Sequence, residues 1–374
     1  MPPKLPECWG HRGASVSFPE NTLASFERAI RDGADGIETD VHISQDDVVI
    51  MFHDPTLQRT TNGFGRIKDH KWYGPNGMQH LRTKKQPPQP IPTFDETIAL
   101  FMRPENQHAK LHIDIKPSNS LAKIFALMAR ALRAYDAWET ALAPRILLGV
   151  WHTGYVRPAI DVLPRCGRAH IGFNVVLARR WFWESCDVMS LHFGQWVTRA
   201  GQRFLKECKA AGKTTMVWTV NDPLEMAEAI RWGIDVIMTD VPHVLHQLRR
   251  DLQADYDKTL SRYPRTFLWT RYRYYWPVTL FWATFVRIML QVAFGRLAKV
   301  PLPAGAPQAA RRVLDVVDEV GGDGEALEGK TANGHVQDGE AVESVDGEVA
   351  RKAVADGDYL SDGVNGAPVV SVQA

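Results

Sequence analysis

The chain has 374 residues and a formal net charge of +1. That length exceeds a minimal domain and accommodates one (β/α)8 barrel of about 250 residues with appendages. The balanced charge excludes a strongly basic nucleic-acid binder, or an acidic disordered chain, as a description of the whole. The balance is uneven along the chain, however. Residues 301–374 carry 5 Lys or Arg against 14 Asp or Glu, a net charge of −9, while residues 258–300 hold eight basic residues and no acidic one.

Residues 1–253 alternate short apolar runs with amphipathic stretches. The runs ECWGH (7–11), GIETDVHI (36–43), VVIMFH (48–53), LHIDIK (111–116), RILLGVW (145–151), AHIGFNV (169–175), VMSLHF (188–193), TTMVWTV (214–220) and DVIMTD (235–240) are nine candidate strands. Helical periodicity marks 21–33, 120–135, 201–212 and 223–233 between them. VVIMFH follows its predecessor after only SQDD, which allows a hairpin but not a parallel crossover. Removing it leaves eight strands with helical connections, the arithmetic of an α/β fold of the (β/α)8 (TIM) barrel type. Residues 53–92, rich in Gly, Pro and Asn, then form an irregular, partly ordered insertion after the second strand. Four scattered cysteines (Cys8, Cys166, Cys186, Cys208) form no CxxC pair, and the opening MPPKLPECWG has no apolar core of a secretory leader. A reducing compartment with buried thiols is expected, and secretion is not.

The strand ends carry the chemistry. His11-Arg12-Gly13 closes the first strand, Glu38 and Asp40 share one face of the second, and His53-Asp54 ends the hairpin return. Asp114 and Lys116 again lie two apart. In a barrel these residues gather at the C-terminal mouth. Three inward carboxylates on neighbouring strands repel one another unless a hard divalent cation, Mg²⁺ or Ca²⁺, neutralises them. Two histidines beside such an ion, with Arg12 and Lys116 near, suit cleavage of a phosphodiester by acid–base catalysis. His42, His112, His152 and His170 are expected to be structural or on the surface. Asp240, ending the last strand, is expected to cap the helix that follows.

HRG (11–13), PENT (19–22), ExD (38–40), HD (53–54), IK (115–116) and WTVN (218–221), in that order, resemble the glycerophosphodiester phosphodiesterase family over residues 7 to about 250. The resemblance implies that His11 and His53 are the acid–base pair and that Glu38, Asp40 and Asp114 hold the metal. It also implies that Arg12 and Lys116 contact phosphate and that Trp218 and Asn221 line the pocket, with His192 a candidate head-group contact and Trp151 a candidate wall. The family usually has Glu at the position of Asp114, so the shorter side chain requires a small shift of the metal or the strand, or a water to fill in. LHIDIKP, LLGVW, MSLHFG and MVWTVND further resemble the fungal phosphatidylglycerol phospholipase C branch.

Beyond the barrel, residues 254–300 form a basic–aromatic segment. WPVTLFWATFV (276–286) is interrupted by Arg287, too short for a simple membrane span. Arg265, Arg271 and Arg273, interleaved with Trp and Tyr, suit a helix held on an anionic membrane surface and do not favour nucleic acid. The alternative for this segment is a helix packed under the barrel. The acidic residues 301–374 are expected to be disordered. The expected function is therefore a membrane-associated, cytosol-facing phospholipase C acting on phosphatidylglycerol, at the endoplasmic reticulum, a lipid droplet or the mitochondrial surface. A hydrolase of soluble glycerophosphodiesters is the first alternative, and a catalytically dead barrel serving as a membrane scaffold is the second.

Overall fold

A computed structural model of the chain describes residues 3–301, apart from the side chains of 269–274, 276 and 278. The expected acidic tail, from residue 302 onward, lies outside the described residues. Nine strands form one sheet: β1 (Glu7–His11), β2 (Gly36–Ile43), β3 (Val49–Met51), β4 (Lys110–Ile115), β5 (Ile146–Val150), β6 (Gly167–Gly172), β7 (Val188–His192), β8 (Thr214–Trp218) and β9 (Val236–Thr239). Eight of them are parallel and close on themselves through the β9–β1 and β1–β2 pairings, making a (β/α)8 barrel. β3 stands outside that ring, antiparallel to β2 with Val41 opposite Met51, as the short connection requires.

Side-chain parity sorts the strands into two layers. Ile37, Val41, Ile113 and Leu148 point outward and are fully enclosed by the surrounding helices. The alternate positions point into the barrel, where Trp9, Leu147, Ala169, Val188, Met216, Val236 and Met238 fill the floor. A filled floor leaves only the C-terminal mouth accessible. The first helix (Leu23–Arg31) starts at Thr22, whose hydroxyl accepts from the Ser25 amide while Ser25 Oγ accepts from the Thr22 amide. The helix Pro223–Trp232 stops at Gly233, which takes the left-handed conformation at φ +66°.

The insertion is ordered rather than partly ordered. Phe52, Leu57, Ile67, Trp72, Met78 and Ile91 give it a small core of its own against Ile50. Its Lys85 ammonium donates to the carbonyls of Ser15 and Val16 in the loop after β1. The excursion is thereby fastened across the mouth.

A helix of 29 residues, Thr266–Phe294, lies against the barrel. Tyr275, Thr279, Ala283 and Leu290 are buried on one of its faces, the spacing of a helical stripe. Thr279 comes so close to Gly194 that a Cβ there would stand 2.2 Å from its hydroxyl. Tyr275 meets Phe193, Trp282 meets Phe173, and Phe294 meets His152 and Tyr155. The helix thus packs beside the ends of β5 to β7, not beneath the floor. Phe281, Phe285, Ile288 and Val292 recur on the opposite face and are exposed. No helix among the described residues is long and apolar enough to cross a membrane.

Candidate active site

The site begins at the turn after β1. Arg12 adopts a left-handed conformation at φ +56° and Gly13 follows at φ +83°. A side chain at Gly13 would place Cβ 2.4 Å from Ser25 Oγ, so the helix can pack here only against glycine. The Arg12 amide donates to Glu38 Oε2 at 3.0 Å, which holds the turn in its strained form. Register then sets the levels: His11 pairs with Glu38 across β1 and β2, and Asp40 with Asp114 across β2 and β4.

One oxygen each from Glu38, Asp40 and Asp114 lie within 4.8 Å of one another, and all three residues are buried. Lys116 Nζ bridges Asp40 Oδ1 and Asp114 Oδ2, each at 2.7 Å, and Arg12 Nε stands 3.5 Å from Asp40 Oδ2. Asn21 donates to Asp40 Oδ2 at 2.7 Å. The shorter Asp114 is steadied from its other side by Trp151, whose Nε1 donates to Oδ1 at 2.7 Å. Three carboxylates against the two cations they touch leave one negative charge in surplus. Burial, with Asp40 alongside, accordingly pushes Glu38 up to about 8. Burial raises Asp114 too, against the pull of Lys116. Burial opposes ionisation of Asp40, but Lys116, His53 and Arg12 hold it well below the ordinary carboxylate range. An all-oxygen donor set short of positive charge fits a hard divalent ion.

Each of the two motif histidines is tied at Nδ1 to an aspartate. His11 Nδ1 lies 2.8 Å from Asp240 Oδ1, and His53 Nδ1 lies 2.7 Å from Asp54 Oδ1. His11 Nε2 lies 3.9 Å from Glu38 Oε2, and the Thr219 hydroxyl stands 3.4 Å from both nitrogens of the His11 ring. Burial and Arg12 lower the pKa of His11, but Asp240 and Glu38 outweigh them and hold it above its ordinary value. Burial and Lys116 push His53 down to about 4. His42, from β2, braces the second histidine with a contact of 3.0 Å to the His53 carbonyl.

Asp240 does not cap the next helix, as its place in the sequence suggests. That helix (Pro242–Ala254) has Val241 at its cap position, with no side-chain bond there. Ring closure instead carries β9 alongside β1, and Asp240 is drawn to His11 and to Ser15, whose hydroxyl donates at 2.7 Å. Asn221 also serves Asp240: its Nδ2 donates to Oδ2 at 2.6 Å and its Oδ1 accepts from the Asp240 amide at 2.8 Å. Arg59, from the insertion, joins Asp54 to Glu20, which itself accepts from Arg12 at 3.1 Å. The insertion has no periodic pattern that would single out Arg59. His192 accepts the Gly194 amide at 3.2 Å and turns its ring toward Phe173 and Trp218. His112 lies buried beside Trp9, His170 is stacked on Phe182, and His152 caps a short turn through Gly154.

Comparison with known proteins decides what kind of mouth this is. The model of the glycerophosphoryl diester phosphodiesterase family matches residues 11–244, which span the barrel from His11 into the helix after β9. The chain belongs to the glycerophosphoryl diester phosphodiesterase family. It is similar to a glycerophosphodiester phosphodiesterase of Caldanaerobacter subterraneus subsp. tengcongensis, 29% identical over 250 residues that cover 64% of this chain and 96% of the relative. It is also similar, at 35% identity over 111 residues, to human glycerophosphodiester phosphodiesterase 1, covering 28% of this chain and 32% of that one. Among solved structures, a phosphodiesterase of Oleispira antarctica in complex with the product sn-glycerol-3-phosphate superposes with a TM-score of 0.55 at 25% identity, over 65% of this chain and 96% of that one. This phosphodiesterase is accordingly an enzyme that hydrolyses phosphodiesters.

Proposed function

We propose that the protein hydrolyses glycerophosphodiesters, releasing a glycerol phosphate and an alcohol, and that Glu38, Asp40 and Asp114 hold one Mg²⁺ or Ca²⁺ ion. The observation that carries this reading is the pairing of two Asp-tethered histidines with three buried carboxylates at one barrel mouth. When bound, the ion supplies positive charge to the phosphoryl oxygens as phosphorus becomes five-coordinate. Arg12 and Lys116 face the same charge from the protein side. His53, neutral at physiological pH, takes the proton of the attacking hydroxyl. His11 gives a proton to the alcohol oxygen as its bond to phosphorus breaks. Asp54 and Asp240 keep both Nδ1 atoms engaged, so Nε2 is the reacting nitrogen on each ring.

The attacking hydroxyl is the glycerol group adjacent to the phosphate ester. Its attack expels the alcohol and leaves a cyclic glycerophosphate, which water then opens. Proximity of this kind is worth several kcal/mol when the geometry is right. Purified protein given glycerophosphocholine with Mg²⁺, Ca²⁺ or EDTA, and followed by phosphorus NMR, tests the scheme. A transient cyclic phosphate, absent with EDTA or with His11→Ala, is the expected result. Turnover of diesters that lack a hydroxyl next to the phosphate ester would rule the scheme out.

One observation favours a lipid diester over a soluble one. The Thr266–Phe294 helix exposes Phe281, Phe285, Ile288 and Val292 on a single face, within a segment of eight basic and no acidic residues (258–300). An apolar stripe with basic neighbours suits adsorption to an anionic membrane. Phosphatidylglycerol and phosphatidylinositol both carry a free head-group hydroxyl beside the phosphate ester, and the glycerol of the first is the one that matches the glycerophosphodiester reading. The enzyme would then work as a phospholipase C on a cytosol-facing membrane. Liposomes of phosphatidylglycerol, phosphatidylinositol, phosphatidylcholine and phosphatidylethanolamine discriminate the readings: diacylglycerol released from phosphatidylglycerol supports the lipid reading, and turnover of soluble diesters alone rejects it.

A further inference from the structure

The mouth of the barrel is divided chemically. The charged groups of the site stand at the ends of β9, β1, β2 and β4 or in the loops above them, whereas the ends of β5 to β8 carry rings. Trp151, Phe173, His192 and Trp218 stand at the ends of those four strands in order, and Trp218 meets Trp151 at 6.0 Å, Phe173 at 5.0 Å and His192 at 5.5 Å between ring centres. At one end this wall touches the carboxylate cluster, through the Trp151 bond to Asp114. At the other end Phe173 stacks on Trp282 of the long helix, 6.1 Å away and tilted by 23°. Trp282 in turn meets Phe281 and Phe285 edge-on, at 5.6 and 5.7 Å. Those last two rings are 61% and 48% exposed. A row of rings therefore runs without a break from a metal-site carboxylate to the exposed face of the helix.

We propose that this row is the binding surface for the alcohol side of the diester, that Trp282 is its specificity-determining residue, and that it takes an aliphatic alcohol of the diacylglycerol class. The inference rests on the glycerophosphodiester reading for the position of phosphorus. With phosphorus at the carboxylates, the leaving alcohol extends away from the charged half and along the rings. Trp218 Nε1, buried and without a hydrogen-bond partner among the described residues, is a donor to spare for an ester oxygen. Aromatic walls also attract quaternary ammonium groups. Here the crevice that Phe173 shares with Ile171, Leu177, Val286 and Leu290 also has His170, Asn174 and Arg287 in its lining. A largely apolar crevice with a positive charge beside it suits a hydrocarbon edge better than a choline cation.

The test uses the full-length enzyme and three diesters in free solution: dihexanoyl-phosphatidylglycerol below its micelle concentration, its deacylated counterpart glycerophosphoglycerol, and glycerophosphocholine. Monomeric substrate separates recognition by the rings from adsorption to a membrane. The wild type is expected to prefer the dihexanoyl compound in kcat/KM. Trp282→Ala should reduce that preference about tenfold, chiefly through the KM of the dihexanoyl compound, and Trp282→Phe should recover part of it. The proposal is overturned if Trp282→Ala leaves the preference intact, lowers all three substrates equally, or selectively harms glycerophosphocholine. A wild type without preference between the dihexanoyl and deacylated compounds overturns it too, with the phosphodiesterase reading still standing. A wild type inert toward all three overturns both.

Discussion

Each motif histidine is useful only with the aspartate that fixes its tautomer. His11→Ala and His53→Ala should each lower kcat by about 10²- to 10⁴-fold while circular dichroism stays unchanged, the usual worth of a general acid or base. Asp240→Asn leaves the ring in place but removes the charge that holds the His11 pKa up. We expect kcat to fall about 10- to 100-fold with KM nearly constant. Because that charge favours the protonated ring, its loss should also move the alkaline limb of the pH–rate profile to lower pH. A profile that does not move would mean that Asp240 only packs. At Glu38 the sign runs through the metal. Its carboxyl, pushed up to about 8, holds a proton at pH 7 that an ion must displace. Metal affinity should therefore rise with pH, by about tenfold per unit, and level off above about 8. Calorimetry in buffers of different ionisation heat should find about one proton released per ion at pH 7.

At the scale of elements, the turn after β1 shows why three adjacent residues occur together. Arg12 and Gly13 are both left-handed, and only the second is free of a Cβ penalty. The Glu38 acceptor and the Ser25 contact keep the turn closed. Gly13→Ala should cost about 1–3 kcal/mol of stability and lower Tm by several degrees. It should also depress activity beyond the loss of folded protein, because His11 and Arg12 leave from the same turn. The hairpin strand β3 has a comparable role: it returns the chain to the mouth, so that His53 arrives beside Asp40 from outside the parallel ring. The run VVIMFH after a four-residue connection makes that arrangement readable from sequence. The order of the insertion was not readable, since its core is assembled from residues scattered over 52–91 with no period.

For the whole molecule, the long helix has two apolar faces with different destinations. Tyr275, Thr279, Ala283 and Leu290 are spent on the barrel, and Phe281, Phe285, Ile288 and Val292 remain exposed. Replacing the latter four by serine should weaken binding to anionic liposomes by about 10³-fold, at about 1 kcal/mol per large side chain withdrawn from the interface. Turnover of soluble glycerophosphocholine should be unaffected, and raised salt should weaken liposome binding of the wild type. Binding that is indifferent to these four substitutions would remove the argument for a lipid surface.

The eight-strand count, the odd hairpin and the inward parity of Glu38, Asp40 and Asp114 follow from sequence alone, because strand alternation and connection length are local properties. The residue types at the strand ends likewise declare acid–base and oxygen-donor chemistry before any fold is known. Closure of the ring decided the remainder. It set Asp240 against His11 across 229 positions, joined Asn221 to Asp240, and brought the Trp151 indole to Asp114. It also left the rings of β5 to β8 facing a helix that no local pattern assigns to the mouth. These are contacts between distant segments, and only the geometry of a closed barrel determines which strand ends become neighbours.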